Sequence, residues 1–277
     1  MPFPALHNYL ARLADPARAA TSVWTDSHGH AHGRYFNCTI TSAFQPIREL
    51  GSGRVVAYEG LARSMSASDK GLSLWRLLDH AASDDESIEL DRLCRMVHSI
   101  NFFRQPEAES ADLYLSVHDR LLSAVSSNHG YAFQRILDAL SLPIAKIVLQ
   151  LPLVSSRQTW LLRYVADNYR RNGFRLALNT ASPEQALDLL RQVHPSAIKV
   201  DARPGVDGQA LASLLSEAKS KGVDLIFRRL DSRAVADLLQ EASIAAGVPV
   251  HVQGHLVDMP QAGLAVEPWK MAESIPT

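Results

Sequence analysis

Phe44-Gln45-Pro46-Ile47 and, a short stretch later, Tyr58-Glu59-Gly60-Leu61-Ala62-Arg63 are the segments on which the reading of this chain turns. Both read as strands, over residues 43–47 and 55–62, and they open a series. From about residue 40 onward, short apolar strands alternate with amphipathic helices, the pattern of a parallel sheet wrapped by helices. Further strands are predicted at 112–117, 146–151, 175–179, 197–201, 224–228 and 251–256. Helix-like stretches lie between them at 73–82, 89–104, 131–139, 159–171, 183–193, 209–221 and 232–245. Ser182-Pro183-Glu184 supplies an N-cap with proline at the first helical position, and Asn172-Gly173 and Lys221-Gly222 read as helix stops. Eight strands with helices between them predict an α/β fold, a TIM-like (β/α)8 barrel.

The 277 residues suit one large α/β domain, and 47% apolar with 21% charged residues is enough to bury a sizeable core. A formal charge of -1 gives no general attraction to nucleic acid or to an anionic membrane. No apolar run approaches the roughly 18 residues that a membrane-spanning helix needs. Met1-Pro2-Phe3-Pro4 lacks the basic segment and apolar stretch of a secretory signal, so a soluble cytoplasmic protein is expected. Cys38 and Cys94 lie on apolar-periodic segments and read as buried free thiols.

Residues 1–40 read as an extension: a short helix at 6–13, then strands at 21–25 and 34–41 joined by a Gly-containing loop at 26–33. That loop holds His28, His30 and His32. Alternating histidines can bind zinc or nickel; the plainer reading is a solvated hairpin tip, since no cysteine or carboxylate at an obvious spacing completes a site. Trp24, Trp75 and Trp160 fall on strand or apolar-periodic segments and are expected to be packing residues. The run Asp84-Asp85-Glu86 reads as the acidic approach to a helix start.

The two opening segments resemble the start of an EAL domain, the bacterial cyclic-di-GMP phosphodiesterase family, and the resemblance runs through about residues 40–262. Leu113-Tyr114-Leu115-Ser116, Leu149-Gln150-Leu151, Leu176-Ala177-Leu178-Asn179-Thr180, Ala197-Ile198-Lys199-Val200-Asp201, Leu225-Ile226-Phe227-Arg228 and Val252-Gln253-Gly254 carry it onward. It implies a barrel at 41–262, with the extension at 1–40 before it and a tail at 263–277. Members of the family resemble two-metal hydrolases, whose carboxylates and Asn hold two divalent cations.

Against that pattern most ligands are replaced. Tyr114 stands at the Asn ligand, Gln150 at a Glu, Asn179 and Thr180 at two Asp, and Arg228 at a metal-binding Glu, while Glu59 and Lys199 remain. A guanidinium about 4 Å from a divalent ion would be repelled by several kcal/mol even at an effective dielectric near 20. The expectation is therefore a protein with no catalytic residue, metal or cofactor. Gln45, Glu59, Leu61, Arg63 and Gln253 match the family's ligand pocket, and Arg63, Lys199 and Arg228 form a candidate anion-binding surface for the phosphates of cyclic-di-GMP. Glu59 could equally pair with Arg228 or Lys199, and Tyr114 could stack on a base or block the site.

The resemblance thus implies an inactive signalling protein that acts by binding, either as a metal-independent cyclic-di-GMP receptor with a protein partner or as a ligand-free interaction module. Residual phosphodiesterase activity is the least favoured reading. Family members often dimerise through the loop after the fifth strand and the neighbouring helix; residues 180–182 are a shortened version of that loop, so the resemblance does not carry the usual dimer over to this chain.

Overall fold

A computed structural model of the chain describes residues 3–13, 22–36, 38–64, 83–118, 129–153, 159–203, 205–264 and 269. The helix predicted at 73–82, Trp75 and most of the tail lie outside the described residues. The elements in order are α1 (Pro4–Leu13), β1 (Val23–Thr25), β2 (Ala31–Tyr35), β3 (Cys38–Glu49), β4 (Val55–Ser64), α2 (Asp84–Phe103), β5 (Asp112–Ser116), α3 (His129–Ala139), β6 (Ile147–Leu151), α4 (Thr159–Arg171), β7 (Arg175–Thr180), α5 (Pro183–Leu190), β8 (Ala197–Asp201), α6 (Gly208–Lys221), β9 (Asp224–Arg228), α7 (Arg233–Ala246) and β10 (Val250–Gln253).

The ten strands among the described residues form one sheet, and β3 to β10 close into an eight-stranded barrel because β3 pairs with both β4 and β10. From β4 to β10 each neighbouring pair is parallel. The expectation of a wholly parallel sheet fails at β3, which runs antiparallel to both of its barrel neighbours. The connection from Glu49 to Val55 explains this. It is a tight turn, with Gly53 at φ 69, whereas a parallel return needs a crossover of a dozen or more residues.

Helix ends follow local chemistry. Ser83 caps α2 through a capping box with Glu86, so Asp84 and Asp85 belong to the first turn rather than preceding the helix. Ser182 caps α5 with Pro183 inside it, and α6 stops at Gly222 in the left-handed conformation.

Side-chain alternation sorts the barrel residues. One parity packs outward against the helices: Leu113, Leu149 and Leu176 meet Leu162 and Phe133, while Ile198, Leu225 and Val252 meet Leu214 and Leu239. The other parity fills the bore with Ile47, Ala57, Tyr114, Val148, Ala177, Ala197 and Ile226. Three alanines in this layer leave the volume that the Tyr114 ring occupies.

The N-terminal hairpin departs from its predicted bounds. Residues 31–33 lie in β2 and not in the loop, and the stretch predicted as one strand breaks at Phe36, a non-glycine residue at φ 49, into β2 and β3. Asn101 of α2 seats the hairpin by satisfying both backbone groups of Ala31, accepting from its N–H at 2.7 Å and donating to its carbonyl at 2.8 Å. The same amide donates to Ser42 Oγ, which also meets His98 Nδ1 at 2.8 Å. Burial alone holds the His98 imidazole down to about 4.

Candidate functional site

In a barrel of this kind the chemistry belongs at the C-terminal ends of the parallel strands, where the loops converge. Glu59 on β4, Gln150 on β6, Lys199 on β8 and Gln253 on β10 reach that end from the inward parity, and β3, running the other way, adds Gln45 opposite Glu59. These five side chains form one network. Lys199 Nζ donates to Glu59 Oε2 at 2.8 Å, to Gln253 Oε1 at 2.8 Å and to Gln150 Oε1 at 2.5 Å, which uses all three ammonium hydrogens. Gln150 Nε2 donates to Glu59 Oε1 at 3.0 Å. Gln253 Nε2 donates to Glu59 Oε2 at 2.8 Å and to Gln45 Oε1 at 3.1 Å. Of the two partners foreseen for Glu59, the structure therefore selects Lys199.

Burial works to raise the Glu59 carboxyl, but the Lys199 ammonium and the two amide donors overcome it and hold the group down to about 2. Burial pulls the Lys199 ammonium down, Glu59 opposes that pull, and Arg228 adds to it. Lys199 is fully buried, with the Tyr114 ring centroid 5.5 Å from its nitrogen.

Above the network lies a cavity of about 210 Å³ lined by Gln45, Glu59, Leu61, Arg228, Arg229, Asp231, Gln253, Gly254 and His255. Five of the seven candidate ligand residues thus share one space. Lys199 is sealed beneath it, and Arg63 is exposed and donates to the Pro260 carbonyl at 3.0 Å. Arg229, Asp231 and His255 were not foreseen as lining. The only trace of this in the sequence is the pair Arg228-Arg229, too short to signal a site by itself.

The arginines meet Asp201 at the end of β8. Arg229 lies 2.8 Å from its carboxylate, Arg203 3.0 Å and Arg228 3.8 Å. Burial raises the Asp201 carboxyl, and Arg203 and Arg229 more than reverse this, to about 2. Arg228 Nε is buried with no hydrogen-bond partner among the described residues. Two backbone features fix this corner. Arg229 takes φ 57, a left-handed conformation that costs a non-glycine residue energy. Gly254 passes so close to Leu230 that a Cβ would lie 2.2 Å from its nitrogen.

The remaining candidates lie elsewhere. Tyr114 is 3% exposed inside the bore, so of its two foreseen roles base stacking is excluded by burial. Asn179 donates to the Leu151 carbonyl at 2.9 Å, and Thr180, of outward parity, meets the Lys199 carbonyl at 3.3 Å. The histidine loop is not a solvated tip without a carboxylate. Asp26 accepts from the backbone of His28 and His30 and meets His30 Nδ1 at 3.0 Å and His32 Nε2 at 3.2 Å. His32 is buried and stacks on Trp24 at 5.7 Å. Trp160, expected in packing, is 69% exposed. Among the described residues no three His, Cys, Asp or Glu side chains are grouped to hold a metal ion, and no helix is long and apolar enough to cross a membrane.

Residues 35–259 match the family model described as "EAL domain". A search of curated proteins found no match. Among solved structures the chain resembles Klebsiella pneumoniae BlrP1 in a manganese and cyclic-di-GMP complex, with 19% identity, TM-score 0.65 and coverage of 82% of this chain and 58% of that one. The same protein with FMN and cyclic-di-GMP but no metal ions gives 19% identity, TM-score 0.60 and coverage of 87% and 56%. The Xanthomonas citri FimX EAL domain in complex with cyclic-di-GMP gives 16% identity, TM-score 0.66 and coverage of 83% and 91%. The chain spans less than three-fifths of BlrP1, and at these identities the likeness establishes the fold.

Proposed function

The chain belongs to the EAL domain family, and from that premise we propose that it works by binding rather than by hydrolysis, receiving cyclic-di-GMP in the barrel mouth without metal and altering how the protein meets a partner. One observation carries this reading: both oxygens of Glu59 are taken up by Lys199, Gln150 and Gln253. The other groups at the mouth do not fit a pair of divalent cations, which require several anionic oxygens. Gln150 and Asn179 are neutral, Arg228 is cationic, and Asp201 is claimed by arginines. Arg228 lines the cavity, where a guanidinium suits a phosphate oxygen, and its buried Nε has no hydrogen-bond partner among the described residues.

Calorimetry with purified protein, cyclic-di-GMP and EDTA tests the proposal. Micromolar binding that survives chelation supports it, and no binding up to about 100 µM overturns it. Linear pGpG formed with Mn²⁺ by wild type, and not by Glu59→Ala, would reinstate hydrolysis.

The second reading is a ligand-free interaction module. The cavity volume favours it, since about 210 Å³ falls below the roughly 300–1,000 Å³ usual for small-molecule pockets.

A further inference from the structure

We propose that the outward face of α4 is a two-fold contact between two copies of this chain. The helix has already used its apolar stripe: Leu161, Leu162, Val165, Ala166 and Tyr169 are buried against the barrel. A second stripe remains on the opposite side. Trp160, Arg163, Tyr164, Asp167, Arg170 and Arg171 are exposed and fall at i, i+3, i+4, i+7, i+10 and i+11, one face of an α-helix. Single exposed apolar residues are ordinary, but here Trp160 is 69% and Tyr164 52% exposed one turn apart.

The charges on this stripe specify the occupant. Arg163 makes no ion pair among the described residues and leaves Asp167, one turn ahead, to Arg170 at 3.3 Å. The Asp167 side chain is 59% exposed and so open to a second cation. When two α4 helices lie antiparallel with the two-fold axis level with residue 165, Arg163 of each copy stands opposite Asp167 of the other. Trp160 then stands opposite Arg170, an indole facing a guanidinium, and the two Tyr164 rings flank the axis. Symmetry makes every one of these pairs twice, the self-complementarity that an isologous contact requires. An unrelated apolar partner would need the aromatics but not this charge spacing. The contact is independent of the ligand proposed for the mouth.

Sedimentation velocity on the full chain, from about 5 to about 200 µM, reads the result. Wild type is expected to pass from monomer to dimer, and Arg163→Asp and Asp167→Arg are each expected to weaken association at least about tenfold, with the double reversal R163D/D167R returning it to within about threefold. Trp160→Ala should weaken it as well. Thermal melts matching wild type show that the variants are folded, as expected for exposed positions. A wild type that stays monomeric across the range overturns the proposal. So does association that neither reversal weakens, or a folded double reversal that stays as weak as the singles.

Discussion

Lys199 Nζ lies 2.8 Å from Glu59 Oε2 although 140 positions separate the two residues in the chain. Lys199 is buried at the point where the barrel opens, the Glu59 side chain above it is 17% exposed, and each charge depends on the other for compensation. Lys199→Met should therefore cost about 3–5 kcal/mol, because it strands a carboxylate that is only 17% exposed. Glu59→Gln added to Lys199→Met should recover a large part of the loss. Urea unfolding of the single and double variants checks both statements. A double variant no more stable than Lys199→Met would show that the network does not act as a pair.

The acid limb of stability should have two stages. The folded His98 binds its proton only near pH 4, whereas the unfolded residue binds it near 6.5, so the unfolded state gains protons first as pH falls. Stability is lost across that window, by about 3 kcal/mol in all. Glu59 acts lower down. Its folded value of about 2 lies below the unfolded 4.5, so its contribution is complete above 4.5 and disappears as pH falls towards 2. Melting temperature against pH should slope down from 6.5, and a His98→Gln variant should flatten the first stage and leave the second.

Asp258 should matter as much as a core residue. It receives Arg48 Nε at 2.7 Å and Nη2 at 3.0 Å, and its backbone carbonyl accepts from Gln45 at 2.9 Å. Arg48 is 2% exposed, so Asp258→Ala leaves a guanidinium short of its anion and should cost about 3–5 kcal/mol by chemical denaturation. A cost within 0.5 kcal/mol of zero would count against this account.

If the proposed receptor reading holds, Arg228→Ala should weaken cyclic-di-GMP binding at least about tenfold in EDTA, since it removes the guanidinium proposed to meet a phosphate in the cavity. Arg63→Ala should change affinity less, because that guanidinium is turned to the Pro260 carbonyl. Titration calorimetry on both variants separates the two roles. A larger loss in Arg63→Ala would reverse them.

Asn101→Ala should loosen the N-terminal hairpin by about 1–3 kcal/mol, because the Ala31 N–H loses the Asn101 carbonyl and the Ala31 carbonyl is left with the longer bond from Thr41 Oγ1. Hydrogen exchange at β1 and β2 should quicken while β5 to β9 keep their protection.

Much of the barrel was legible because short apolar runs between amphipathic helices are a local signal: β8 and β9 match their predicted bounds, and β4 is longer by two residues at its end. The direction of β3 was also within reach, in the shortness of the Glu49–Val55 connection. For the site, ordered segments at suitable spacing singled out Glu59, Lys199, Gln150 and Gln253, which the fold joins in one network. Spacing could not tell that Lys199 would be sealed under the cavity or that Arg63 would turn away. Those outcomes depend on contacts made by Asp258, Pro260 and Gln261, far along the chain and without a recognisable local pattern. The exposure of Trp160 was missed because apolar periodicity marks which face a helix buries, and an aromatic on the other face looks like part of the same signal.

The reversed course of β3 has one more consequence. Its leading residues project past the rim beside the last residue of β4, Ile40 against Ser64, and β2 pairs with that projection. The hairpin therefore heightens the wall of the vestibule on the side that also bears Gln45. Trimming the chain at its front to obtain a minimal barrel would lower that wall and bare an unsatisfied strand edge, so shortened versions invite aggregation.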